Sequence, residues 1–225
     1  MNFPDALFPD TWQFAAFCIF VPVLLWCIAT APWRRLAESS QSNLWLGTIV
    51  LLALVWSMKA GVKPGLNMHL LGATMFALMF GRELALIGLA LVLAAVTFNL
   101  NLQGQHGWQS FGLNALVLAV VPTLLADLIR RTVERHLPRN LFVYIFVSAF
   151  FGAALAALAS GFFATMLLAL AGVYPLPLLF DEYFPYYLLL GFSEAWLNGA
   201  MVTMMVIYMP HWVGTFDDKL YQLKK

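Results

Sequence analysis

Polar positions in this chain fall in short clusters between long apolar runs, and the runs set the expected architecture. A helix needs about 20 mostly apolar residues to cross the hydrocarbon core of a bilayer. Candidate spans run from Trp12 to Trp33, Leu44 to Met58, Met68 to Phe80, Leu84 to Leu100, Phe111 to Leu128, Leu141 to Gly172 and Tyr186 to Met209. The second and third are short; such segments are completed by their polar flanks or form partial, re-entrant helices buried in protein. The run from Leu141 to Gly172 is too long for an upright span at about 1.5 Å per residue, and reads as one tilted or protruding helix or as two with a break near Gly161.

The cations arbitrate. Arg34 and Arg35 follow the first run, Arg82 the third, and Arg130, Arg131, Arg135 and Arg139 the fifth, while Lys219, Lys224 and Lys225 close the chain. With seven spans and the N-terminus outside, all of these fall on the cytoplasmic side, as the positive-inside rule requires, and only Lys59 and Lys63 fall outside. Splitting the long run would move the tail lysines outside. The expected fold is therefore an all-α integral membrane protein of about seven transmembrane helices, N-terminus out and C-terminus cytoplasmic. It reads as a single polytopic domain over 1–225, with an exposed segment 1–11 able to insert into the bundle and a cytoplasmic tail 210–225. Segment 1–11 has Asp5, Asp10 and no basic residue, so it does not read as a signal peptide.

Composition agrees with this picture. The 225 residues are 62% hydrophobic and 10% charged, against roughly 45–50% and about 25% in a soluble domain. A formal charge of +1 offers no basic surface for a nucleic acid. Cys18 and Cys27 share one apolar run, which argues against a disulfide framework. There is no phosphate loop, His-Glu-x-x-His helix or nucleophile elbow, so the chain is not read as an enzyme. The expected location is the bacterial inner membrane.

Ionisable groups at membrane depth are costly and mark a site or a structural pair. His69 lies near the outer end of the third run, Asn114 near the outer end of the fifth, and Glu194 sits inside the seventh with Asn198 one turn further on the same face. Asp127, beside Arg130 and Arg131, reads as a surface ion pair. His69, Asn67, Asn114, the loop residue His106 and the N-terminal segment share one outer face. A free amine, an imidazole and a carboxylate at one depth suit a divalent transition metal. The competing readings are an interhelical hydrogen bond for His69, a solvated loop for His106, and buried glue for Glu194. Met68, Met75 and Met79 at helical spacing suit either packing or Cu(I). Ala149, Ala153, Ala157 and Gly161 form a small-residue stripe for close helix approach, inside the bundle or with a partner. Trp12, Trp33, Trp45, Trp108, Tyr183, Tyr186 and Trp212 read as interfacial anchors.

Three stretches together resemble one family, the substrate-capture membrane component of cobalt/nickel energy-coupling-factor transporters (CbiM/NikM type). Met1-Asn2-Phe3-Pro4-Asp5 is similar to its Met-His-Ile-Pro-Asp opening. Pro64-Gly65-Leu66-Asn67-Met68-His69-Leu70-Leu71-Gly72-Ala73 is similar to its Gly-rich turn and His-Leu-x-Gly, continued by Gly112-Leu113-Asn114-Ala115. Gly191-Phe192-Ser193-Glu194-Ala195 resembles the Glu-Ala of its last span.

The resemblance implies an N-terminus tucked into the bundle from outside and a metal held by nitrogens. Carried over, the ligands are the amine of Met1, the backbone and side chain of Asn2, and His69; beside that set, Asn67 and Asn114 are candidates to orient His69 by hydrogen bonds, and Glu194 to hold the structure or neutralise charge. Residue 2 departs from the pattern, being asparagine where the family has histidine; Asn2 could supply an oxygen donor, or Asp5 or His106 could complete the site. The expected function is uptake of a divalent cation, nickel or cobalt, as cargo rather than cofactor. The expected partners are membrane lipid, a coupling membrane subunit, cytoplasmic ATPase subunits and a small accessory membrane protein. The alternatives are copper or zinc uptake, or a non-transporting membrane scaffold that has lost the metal site.

Overall fold

The computed structural model describes residues 2–58, 60–63, 66–104, 107–217 and 221. Helix α1 (Asp10–Thr30) starts with Asp10 in its first turn, where a carboxylate faces the positive end of the helix dipole. Helix α2 (Ser39–Ser57) begins five residues before the apolar run at Leu44, so its first turn is built from the polar flank. A β-hairpin follows, β1 (Ala60–Lys63) antiparallel to β2 (Leu66–Met68). Helices α3 (Ala73–Phe80) and α4 (Arg82–Leu102) are separated only by Gly81, whose φ of +84° turns the chain back on itself. Helix α5 spans Phe111–His136 and α6 Leu141–Leu170; then come α7 (Leu176–Glu182) and α8 (Phe184–Tyr208).

Five helical stretches among the described residues are long and apolar enough to cross a membrane: α1, α4, α5, α6, and α7 with α8. The run from Met68 to Phe80 is not a span. Met68 ends a strand, His69 lies in a loop, and the eight-residue helix α3 covers only about 12 Å. All eight of its residues are buried, against α4, α5, α6 and α8. It is thus a partial helix held inside protein, where its end groups can be satisfied. The long run stays one helix, with no break at Gly161.

Two helices carry a wider, π-type turn. In α5 it covers Leu116–Val120, immediately before Pro122. A proline ring clashes with the carbonyl four residues back and donates no hydrogen bond, so widening that turn relieves the clash. In α6 it covers Tyr144–Phe151.

The small-residue stripe lies inside the bundle. Ala149, Ala153 and Ala157 are buried, and a Cβ on Gly161 would stand 2.2 Å from the Tyr187 ring of α8. Trp45 and Tyr183, expected at an interface, are core residues instead: the Trp45 indole N–H donates to the Leu84 carbonyl (3.1 Å), and the Tyr183 and Tyr187 hydroxyls pair at 2.7 Å. Exposed large apolar side chains such as Phe14, Leu54, Phe142 and Leu189 are the surface a bilayer covers. At the Arg82 end of the bundle, nearly buried Asp127 pairs with Arg130 (2.8 Å), Arg131 (2.7 Å) and, more loosely, Arg82 (3.8 Å), which also lies over the Trp26 ring.

Candidate metal centre

The N-terminal segment is not an exposed tail. Phe3 and Phe8 are buried and meet edge to face at 5.0 Å, and each backbone group they carry inward needs a partner. Asn114 supplies two: its Oδ1 accepts the Phe3 N–H (2.7 Å) and its Nδ2 donates to the Phe3 carbonyl (3.1 Å). The Ser110 hydroxyl, one helical turn earlier, donates to the same carbonyl. Asp5 accepts the Ser110 N–H at 2.8 Å, and the Gln13 amide donates to the carbonyls of Asp5 (2.7 Å) and Phe8 (2.8 Å). Gly112 permits this arrangement, because a Cβ there would stand 2.9 Å from the Phe17 nitrogen and push α1 away from α5.

Residue 2 reaches the hairpin. The Asn2 N–H donates to Asn67 Oδ1 at 2.8 Å, which joins the inserted segment to the strand that leads into His69. The Asn2 side chain is buried, and neither its oxygen nor its nitrogen has a hydrogen-bond partner among the described residues. A buried carboxamide left in that state costs free energy unless something else occupies it.

His69 is buried too, its ring 4.8 Å from that of Trp56. Its Nδ1 lies 3.0 Å from the Leu70 carbonyl. A carbonyl can only accept, so Nδ1 carries the proton and Nε2 is the lone-pair nitrogen, the arrangement a metal-binding imidazole uses. The loop beyond is held from both sides. Trp56 donates to the Leu71 carbonyl (3.1 Å), while the Glu194 carboxylate accepts the N–H groups of Leu71 and Gly72. Gly72 has φ +64°, and a Cβ there would meet Leu52 at 2.6 Å. Asn198 completes the anchor, donating to Glu194 (2.8 Å) and accepting the Met75 N–H (2.8 Å).

The structure therefore brings Asn2, Asn67 and Asn114 together around the inserted segment and places His69 in the adjoining loop. Asp5 is engaged with Ser110, and Glu194 with the loop backbone. Met1 and His106 lie outside the described residues. No group of three or more His, Cys, Asp or Glu side chains gathers at a metal-binding distance among the described residues. Met75 and Met79 line an apolar groove of about 240 Å³ with Met201 and Met205, away from His69, and Met68 lies on β2 rather than on their helical face. Sequence reasoning missed Ser110, Gln13 and Trp56; Ser110 stands four residues before Asn114, a spacing that could have shown it.

Over residues 2–212 the chain matches the family described as the cobalt uptake substrate-specific transmembrane region. The chain belongs to this cobalt-uptake family. Two crystal structures share the fold: a truncated transition metal transporter, 19% identical, aligned over 92% of this chain and 99% of that one with a TM-score of 0.76, and a transition metal transporter, also 19% identical, over 94% and 96% with a TM-score of 0.74. No curated protein matches. This member of the family is a multi-pass membrane protein and a component of metal uptake.

Proposed function

We propose that the chain captures a divalent transition-metal ion, nickel or cobalt, at the outer face of the membrane, as the substrate-binding component of an energy-coupling-factor transporter. The Met1 amine, Asn2 and His69 hold the ion; Asn67 and Asn114 position the segment that carries the first two, and Glu194 positions the loop that carries the third. The observation that carries this reading is the buried carboxamide of Asn2, without a hydrogen-bond partner among the described residues, on a segment bonded to the His69 strand. The segregation of Arg82, Arg130 and Arg131 to the opposite end of α5 supports an outward N-terminus. Cytoplasmic ATPase subunits supply the energy, acting with a coupling membrane subunit and a small accessory membrane protein.

One departure favours a second reading. Asn2 replaces an imidazole with a weaker donor, which fits a scaffold without a metal or a site for copper or zinc. Metal content of gently purified protein separates these, measured for the wild type, His69→Ala and a variant extended at its N-terminus. A stoichiometric ion lost in both variants supports capture and names the cargo. No ion under any loading condition leaves the scaffold.

A further inference from the structure

Helix α3 is pinned at both ends by one continuous stretch of chain. At the site end, Glu194 and Asn198 of α8 accept the N–H groups of Leu71, Gly72 and Met75. At the far end the chain turns at Gly81, so the last carbonyls of α3 lack a following turn to bond them. The segment after α8 supplies the partners. The Gly214 N–H donates to the Met79 carbonyl (2.8 Å), and Thr215 donates to the Leu78 carbonyl through both its N–H (3.2 Å) and its hydroxyl (2.7 Å). Leu78 and Met79 are buried, so withdrawal of this segment would leave backbone carbonyls without partners at depth.

The segment itself has a built dock. The Tyr144 hydroxyl of α6 pairs with the Thr215 hydroxyl at 2.7 Å; since Thr215 gives its proton to Leu78, Tyr144 is the donor there. Gln41 at the start of α2 donates to the His211 carbonyl (3.1 Å). Arg35 packs over the Phe80 ring at 5.3 Å and occupies the space a side chain on residue 214 would need, so glycine there lets the guanidinium lie against the strap.

We propose that residues 210–216 form a strap that positions the metal loop from the opposite face, acting through α3, with Thr215 as its key positioning residue. This rests on the metal-capture reading above. The connecting element is a short, fully buried helix that starts at Ala73, joined to His69 by the loop 70–72 that Glu194 and Trp56 hold, so axial displacement at one end is felt at the other. Coupling between two sites is reciprocal: an ion at His69 holds the strap in place, and unseating the strap lowers the affinity for the ion by the same factor, a loss expected in its release rate. A transporter that must let go of its cargo inward thereby has a handle for doing so on the face opposite the capture site.

The experiment uses the full chain in lipid nanodiscs with Co(II), and Ni(II) in parallel. Hydrogen exchange of the peptide covering residues 210–217 is compared with and without the ion, in the wild type and in His69→Ala. Ion release into excess chelator is timed for the wild type, Thr215→Val and Thr215→Ser. The strap predicts exchange slowed about fivefold or more by the ion in the wild type alone, release about fivefold or more faster in Thr215→Val, and near-wild-type release in Thr215→Ser. If Thr215→Val does not fold, the wild-type exchange comparison decides. Ion binding that leaves exchange of the strap unchanged overturns the inference while sparing the capture reading. A wild type that binds neither ion overturns both.

Discussion

Removing the Asn114 side chain is the sharpest perturbation of the inserted segment. In Asn114→Ala the buried Phe3 N–H loses its acceptor, while the Phe3 carbonyl keeps the Ser110 hydroxyl. A buried donor left unsatisfied costs about 1–3 kcal/mol. If the segment must be seated for its amine and Asn2 to reach the ion, that cost appears in the binding equilibrium, raising Kd about five- to 150-fold at 1.4 kcal/mol per factor of ten. Ser110→Ala is the internal control, because Asn114 still donates to the carbonyl it leaves. Titration of detergent-solubilised protein with Co(II), followed by calorimetry or by retained metal, reads both variants. The expected order of affinity is wild type, then Ser110→Ala, then Asn114→Ala well below. An Asn114→Ala protein that folds and binds Co(II) as tightly as the wild type would refute the reasoning that the seated segment contributes to the site.

Gly161→Ala is expected to lower thermal stability by about 1–3 kcal/mol through overpacking, because its Cβ would lie 2.2 Å from the buried Tyr187 ring; a melting curve within error of the wild type would contradict this. Glu194→Gln loses one of the carboxylate's acceptors for the Leu71 and Gly72 N–H groups, and is expected to weaken Co(II) binding less than Glu194→Leu, as measured by the same titration. Asn2→His supplies a second imidazole and is expected to raise affinity for both ions and more for Ni(II) than for Co(II); unchanged affinity for both would remove the residue 2 side chain from the ligand set. Lys63→Ala breaks an exposed pair with Glu182 and is expected to change stability by less than about 1 kcal/mol.

Length and hydropathy alone identify α1, α4, α5, α6 and α8, since each is a long apolar run with polar ends. The third run misleads because Met68 and Leu71 are apolar for a different reason: they pack a strand and a loop against the bundle, and only Ala73 onward is helical. Trp45 and Tyr183 mislead because an indole N–H or phenol can be satisfied by a backbone carbonyl or a second tyrosine as well as by interfacial water. At the site, His69, Asn114 and Glu194 were legible as rare polar groups in apolar surroundings. Ser110 carried only the signal of its four-residue spacing from Asn114; Gln13 and Thr215 were not legible, because they act on backbone groups, and a carbonyl or N–H offers no residue type for a pattern to match. Gly112 and Gly72 carried a visible signal as glycines, but the reasons for them, the approach of α1 to α5 and of Leu52 to the loop, appear only in three dimensions.

The central claim is that a seated N-terminus and His69 together hold the ion. X-ray absorption of the Co(II)-loaded wild type tests it at the metal itself. The account predicts a shell of nitrogen and oxygen donors only, with the outer scattering of a bound imidazole that disappears in His69→Ala. Sulfur in the shell, or an imidazole signal that survives His69→Ala, would contradict it.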